Sequence, residues 1–218
     1  MVSNKKYLFF FPALLLVFVS APFSGVSTDA RAEDPGLSDL PANLKKIGDL
    51  KPTFYWVALE TADGQPRNNE LLDVSGNVIA KVSAKFLAGI RMEGTGRLLD
   101  GRVLNFQARV GKDIRWRFCP PSAPYGYGFL DYALKPFHSV AVDPNVIPIP
   151  SRVYIPAAKG APLPDGTIHD GYFEAVDIGD AIQNQRIDIF TSMGDQSALF
   201  ENHGLSNMKA TAIYLVTE

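Results

Sequence analysis

Along most of this chain apolar residues come in short runs that alternate with polar ones, and Gly, Pro, Asn and Asp interrupt the runs at close intervals. "TFYWVAL" (53–59) is rich in aromatic and β-branched residues and predicts a strand. "ADGQPRNN" follows as a turn. "LLDVSGNVIAKVSAKFLAGI" admits a Gly-turn hairpin or a short helix; a turn at "SGN" followed by a helix from Ala80 to Ala88 fits it better. "GRVLNFQARV" sets Val103, Asn105, Gln107 and Arg109 against Leu104, Phe106, Ala108 and Val110, the period of a half-buried strand. "HSVAVD" and "RVYIP" are further short strands. "KGAPLPDGTIHDGY" is a loop, "FEAVDIGDAI" and "RIDIFTS" follow, and "KATAIYLVTE" closes the chain as a strand. Many short strands, frequent turns and few helical periods predict an all-β fold, closed or nearly so.

The N-terminus has a different pattern. "MVSNKKYLFFFPALLLVFVSAPF" opens with Lys5 and Lys6, continues as an apolar run from Tyr7 to about Phe23, and leads to Ala30-Arg31-Ala32, a small-residue cleavage pattern. Residues 1–32 are therefore expected to be a signal peptide, and the protein to be exported to the periplasm or cell envelope. The alternative is an uncleaved anchor, the one route by which this chain would meet a membrane. The run has the length of a span, roughly 17–25 residues, but Pro12 and Pro22 interrupt it. Residues 33–50 are polar with prolines and glycines and read as a linker with a short helical turn at "LPANLKKIG". Residues 51–218 then form a single β domain, long enough to bury its own core.

Charge narrows the function. Lys+Arg is 21 and Asp+Glu is 23, a net charge of −2. This balance lacks the basic footprint of a nucleic-acid binder and gives no electrostatic hold on anionic lipid. Cys119 is the sole cysteine, so no internal disulfide can form. Arg117 is near it in sequence but no histidine is, and a packed, idle thiol is the expectation.

Aspartates are the feature the pattern does not absorb. In "RIDIF", alternation sends Ile187 and Ile189 into the core and Arg186, Asp188 and Phe190 to the other face. "AVDP" ends a strand at Asp143, and "AVDIGDA" sets Asp177 beside a tight Ile178-Gly179 step. Three aspartates on strand ends or on one strand face can converge in a cleft. A desolvated carboxyl among others holds its proton near neutral pH and can give it to a leaving oxygen. Equally, Asp143 and Asp177 can be turn residues making local Asx bonds, with Asp188 solvated.

"SVAVDPNVIPIPSRVYIP" followed by "AVDIGDAIQNQRIDIF" resembles the three-aspartate (3D) domain, over about residues 138–192. That domain is also the C-terminal part of the membrane-bound lytic transglycosylase A family. "RMEGTGRLLDGRVLNF" is similar to an earlier segment of those enzymes. The resemblance implies a double-psi β-barrel with a six-stranded core, short helices and a polar groove. It implies cleavage of peptidoglycan glycan strands between N-acetylmuramic acid and N-acetylglucosamine without hydrolysis. Separately, the chain is expected to be a monomer with no cofactor and no metal. Carried over by position, Asp143, Asp177 and Asp188 are the three aspartates, and Asp188 is the acid/base. Tyr125, Tyr127, Thr95 and Arg186 are the expected substrate-binding residues. The chain departs from the pattern at Asp180 and Pro150, where the family has glycine, and at Ile178, where it has a hydroxyl residue.

Rival readings stay open at this point. An aspartic protease would need a second copy of its D-T/S-G motif, and there is none. A non-catalytic barrel could grip glycan through Tyr125, Tyr127 and Phe129, which could equally be packed. His138, His169 and His203 lack the clustered spacing of a zinc site.

Overall fold

The computed structural model describes residues 43–217. The expected signal segment and the first part of the linker lie outside the described residues. The strands are β1 (Leu44–Leu59), β2 (Asn69–Leu72), β3 (Val78–Val82), β4 (Thr95–Arg97), β5 (Val103–Val110), β6 (Asp113–Phe118), β7 (Ser139–Val142), β8 (Ser151–Tyr154), β9 (Tyr172–Asp177), β10 (Arg186–Met193) and β11 (Thr211–Val216). The helices are α1 (Ala84–Glu93) and the single turn α2 (Ala198–Glu201).

Two sequence expectations need correction. Residues 44–50 are not linker and carry no helical turn. They form the first part of β1 and pair antiparallel with β11, from Leu44↔Val216 to Leu50↔Thr211. Leu50 is buried and Ile47 packs beside it, while Lys45, Lys46 and Asp49 face solvent. The partner strand comes from the far end of the chain, so local propensity could not show it. Second, Val78–Val82 is a strand in a hairpin with β2, and the helix begins only at Ala84. Ser83 sets that start: its Oγ accepts from the Phe86 N–H at 3.2 Å. Gly94 ends the helix at φ 74°, donating its N–H to the Ile90 carbonyl.

Nine strands join in one mixed sheet of order β10-β7-β9-β8-β11-β1-β4-β5-β6, and β2 and β3 pair in a separate two-stranded sheet. β1 also pairs parallel with β10, from Lys51↔Arg186 to Val57↔Met193. The pairings of β10, β7, β9, β8, β11 and β1 therefore run in a closed ring. Its core holds Val140, Val142, Val153, Phe173, Ile187, Ile189, Phe200 and Ile213. β1 is long enough to serve two parts of the fold, because Ala58 and Leu59 leave the ring and pair with β4. There α1 lies against β1 and β4 over a second cluster that includes Phe86 and Ile90 with Leu104 of β5 and Trp116 of β6. Gly96 permits that approach: a Cβ there would lie 2.2 Å from Ile90 Cγ2 and 2.7 Å from Phe86 Cζ.

Candidate active site

Four neighbouring strands of the ring place one row of residues side by side. Thr53 of β1 pairs with Asp188 of β10, Asp188 with Ala141 of β7, and Ala141 with Asp177 of β9. Residues in register share a face of the sheet, so both carboxyls stand on the same face with a methyl group between them. Two strand spacings put their backbones roughly 10 Å apart.

Asp177 reaches this face through a β-bulge. β7 and β9 pair as Val140↔Ala175 and then Ala141↔Asp177, so Val176 is the extra residue. Simple alternation after Phe173 and Ala175, both in the ring core, would send Asp177 into that core. The inserted residue turns it over to the side of Ala141. Beneath the row lie Tyr55, Val57, Leu134, Val176 and Phe190, a third apolar cluster.

The hydrogen bonds are few and specific. Thr53 Oγ1 donates to Asp188 Oδ1 at 2.7 Å. The Tyr55 hydroxyl donates to Asp177 Oδ2 at 3.0 Å, and the Ile178 N–H donates to Asp177 Oδ1 at 2.8 Å. Burial pushes the Asp188 carboxyl up to about 6, against Thr53 and Arg186, which hold it down. Burial pushes Asp177 up to about 7, with ionised Asp188 adding to the effect, and the Ile178 and Tyr55 bonds opposing it. The Tyr55 phenol is raised well above its ordinary range by burial and by both aspartates, so it remains a donor. Between pH 5 and 7 this pair of carboxyls thus retains protons that surface aspartates have lost.

Above the row opens a cleft of about 720 Å³. Asp177, Asp188, Tyr55, Ala141 and Glu93 line it from the ring and the end of α1, and Asn105, Gln107, Arg109 and Arg117 from β5 and β6. Two ion pairs span from those strands to the loops on the aspartate side. Arg109 meets Asp180 at 2.9 Å, and Arg117 pairs with Asp131 while lying over the Tyr127 ring. Apolar side chains form the rim: Phe106, Phe129, Leu130, Ile178 and Met92 line the cleft and are substantially exposed. The loop carrying Phe129 approaches Asp177 through Gly128, where a Cβ would sit 2.6 Å from the Val176 carbonyl oxygen and 2.9 Å from Asp177 Cβ.

The expected site residues divide. Asp177, Asp188, Tyr127 and Thr95 line the cleft. Asp143, Tyr125 and Arg186 are not among its lining residues. Asp143 is a loop anchor: Oδ1 accepts from the Asn145 N–H and side-chain amide, and Oδ2 from the Asn184 N–H at 2.8 Å. Those backbone bonds hold its carboxyl below the usual range. Tyr125 packs edge-on to Phe190 at 6.2 Å in the floor cluster. Arg186 is half-buried two residues before Asp188 and acts on it through charge.

Two cleft residues escape a reading of the sequence. Tyr55 lies in a run that shows only strand propensity. Its signal is the spacing of two hydroxyls, Thr53 and Tyr55, on one strand face. Glu93 lies in "RMEGTG", which reads as a turn. Burial pushes its carboxyl up to about 7 despite the Trp56 N–H, which donates to Oε2 at 3.1 Å.

His138, His169 and Asp170 bring ligand atoms within 4.8 Å of one another. Both nitrogens of His169 are committed, however. Nδ1 accepts from the Gly171 N–H at 2.8 Å, so Nε2 carries the proton and donates to the Phe137 carbonyl at 2.8 Å. Burial holds this imidazole below its ordinary range and neutral. The cluster ties β9 to the start of β7. Burial pushes the Cys119 thiol up to about 11, which leaves it unreactive.

Residues 138–216 match the family model of the 3D domain, and the chain carries that domain. Its structure is similar to Escherichia coli MltA with bound chitohexaose, with a TM-score of 0.54 and 13% identity over 78% of this chain and 73% of that one. It is also similar to the membrane-bound lytic murein transglycosylase from Agrobacterium tumefaciens (TM-score 0.49, 17% identity, 78% and 74% covered). The lytic transglycosylase LtgG of Burkholderia pseudomallei follows (TM-score 0.44, 19% identity, 77% and 71% covered). No curated protein matches the sequence. No helix among the described residues is long and apolar enough to cross a membrane.

Proposed function

We propose that this protein is a peptidoglycan lytic transglycosylase that cuts the glycan between N-acetylmuramic acid and N-acetylglucosamine with Asp188 as its acid and base. The observation that carries this reading is the pair of desolvated carboxyls, Asp188 and Asp177, held up to about 6 and about 7 on one face of a 3D domain, inside an open cleft. The apolar and aromatic rim suits the flat faces of sugar rings, and the polar walls suit their hydroxyls. The six-strand ring, with its parallel pairs β1–β10 and β7–β9, fits the double-psi barrel that the resemblance implies.

The chemistry balances without water. Protonated Asp188 gives its proton to the glycosidic oxygen, and the bond from that oxygen to the muramic acid C1 breaks. Positive charge develops at C1. The Asp188 carboxylate takes the proton of the C6 hydroxyl as that oxygen bonds to C1, which closes a 1,6-anhydro ring and returns Asp188 to its starting form. No enzyme nucleophile is required. Asp177, fixed by Tyr55 and Ile178 across Ala141 from Asp188, orients the sugar in the cleft. Asp143 keeps a different task, fixing the entry to β10. The chain acts in the cell envelope as an exported monomer, with residues 1–32 as its leader.

The test is Asp188→Asn. General acid–base catalysis contributes about 10²- to 10⁴-fold, and the variant should lose at least that much turnover of purified peptidoglycan while keeping its fold. Turnover at the wild-type rate would remove Asp188 from the mechanism. Binding of glycan by a wild-type protein that never cuts it would make this a binding barrel instead.

A further inference from the structure

We infer that the Arg109–Asp180 ion pair is a strap between the two walls of the cleft that must open before a long glycan strand can lie through it, so that Asp180 sets the chain length the site prefers. The inference rests on reading the cleft as a glycan site.

The pair joins distant parts of the chain. Arg109 stands near the end of β5 on one wall, and Asp180 stands 71 residues away, in the loop from β9 to β10, on the other. Their N–O distance is 2.9 Å, and both residues line the cleft. The Asp180 side chain is 91% exposed and that of Arg109 55%, so the pair lies on the solvent side of the cleft and not in its floor. A bridge there either crosses the mouth or shuts one end. A polymer running through the cleft meets it in both positions.

The other bridge is of a different kind. Arg117 donates to Asp131 from both Nη1 and Nη2, lies 4.6 Å from the Tyr127 ring centroid, and is 28% exposed. Forked, stacked and largely covered, it is a fixed tie. In the β5–β6 hairpin Arg117 pairs with Asn105, four residues before Arg109, so the two bridges stand roughly 13 Å apart along the strand. Arg109 makes one hydrogen bond to Asp180, in solvent. A pair of that sort is weak and is screened by salt.

The strap can open while the site stays in place. The loop carrying Asp180 is anchored to the ring without it. The Ile178 N–H is bonded to Asp177 Oδ1, and the Asn184 N–H to Asp143 Oδ2. Between them Ile182 is buried and donates its N–H to the Gly179 carbonyl. Asp180 is thus a projecting carboxylate on a held loop, and release needs only rotation of the long Arg109 side chain. The strap therefore acts on entry and not on the chemical step. A strand that has to break the pair binds more weakly by the factor the pair is worth. A short glycan that ends before the strap does not incur that loss.

The experiment compares two neutral glycans, chitohexaose as the short probe and glycol chitin as the long one, so that substrate charge does not enter. Binding is measured by calorimetry in an Asp188→Asn background, where nothing is cut. Adding Asp180→Asn is expected to raise the affinity for glycol chitin relative to chitohexaose by about 1.5- to 5-fold, the worth of an exposed ion pair. Arg109→Gln should give the same gain, and the double variant no more. Salt raised to about 1 M, where the screening length falls to about 3 Å, should give the gain in the parent and not in the variants. An unchanged or lower ratio in Asp180→Asn, a gain absent from Arg109→Gln, or gains that add in the double variant would overturn the inference and leave the pair as a surface contact. Binding of neither glycan to any of these proteins would remove the glycan site and the strap with it. If the ratios shift as expected but wild type yields no anhydro product from peptidoglycan, the strap stands and the transglycosylase reading falls.

Discussion

Asp177 and Asp188 stand on either side of Ala141, and that small residue is what leaves a floor between them. Ala141→Leu would fill this space, so it should abolish cleavage even though both carboxyls remain. Asp177 also has a cost for the fold, because its proton is held to about 7 against about 3.9 in an unfolded chain. The folded protein binds more protons than the unfolded one across that window, so this group's favourable contribution is complete below pH 4 and is lost as pH rises through 7. Asp177→Asn should therefore stabilise the protein at pH 8 by roughly 1–3 kcal/mol and not at pH 4, read from urea midpoints. Asp143 has the opposite sign. Its carboxyl is held low by the Asn184 and Asn145 N–H groups, so its contribution is present above pH 4 and is lost as pH falls further. Asp143→Ala should lower Tm at pH 7 and loosen the start of β10. The sequence pattern brought out all three aspartates, and the sheet sets two of them, Asp177 and Asp188, in the cleft and Asp143 outside its lining. The surroundings of Asp143 were hidden from the sequence because the loop that closes onto it brings in Asn184 from 41 residues away.

Among the elements, the short strands were legible because alternation and turn residues are local signals. The bulge at Val176 was not, since it exists only in the pairing of β7 with β9. Without it the alternation of "FEAVD" would bury Asp177 in the ring core. The start of β1 was hidden for the same reason: "LKKIGDL" is a strand because β11 lies beside it. Helix α1 was expected four residues too early, because Val78–Val82 satisfies its hydrogen bonds in a hairpin before Ser83 caps the helix. Close approach between elements gives a direct test of the site's framework. Gly128→Ala would drive a methyl into the Val176 carbonyl and Asp177 Cβ. It should cost about 1–3 kcal/mol and displace Asp177, with turnover falling more than stability alone explains. Asp180 and Ile178, the departures from the family pattern, both lie on the cleft rim, where Asp180 ties to Arg109.

At the scale of the molecule, a ring of six paired strands and the α1–β4–β5–β6 portion share β1. The cleft lies between rows of residues drawn from both. Its acid side is buried, which holds protons on the carboxyls, and its open mouth carries exposed apolar side chains. Three carboxyls, Glu93, Asp177 and Asp188, are raised together, so overall stability should decline from about pH 5 to pH 8 as they ionise. Thermal melts across that range check this, and a Tm that rises toward pH 8 would contradict the burial of these groups. The central claim is the route of glycan cleavage, and product identity tests it most directly. Peptidoglycan digested with the purified protein and analysed by mass spectrometry should yield muropeptides ending in 1,6-anhydro-muramic acid, and none when Asp188→Asn replaces wild type. Digests that contain only reducing-end products would show that water, and not the C6 hydroxyl, attacks C1, and would contradict the account.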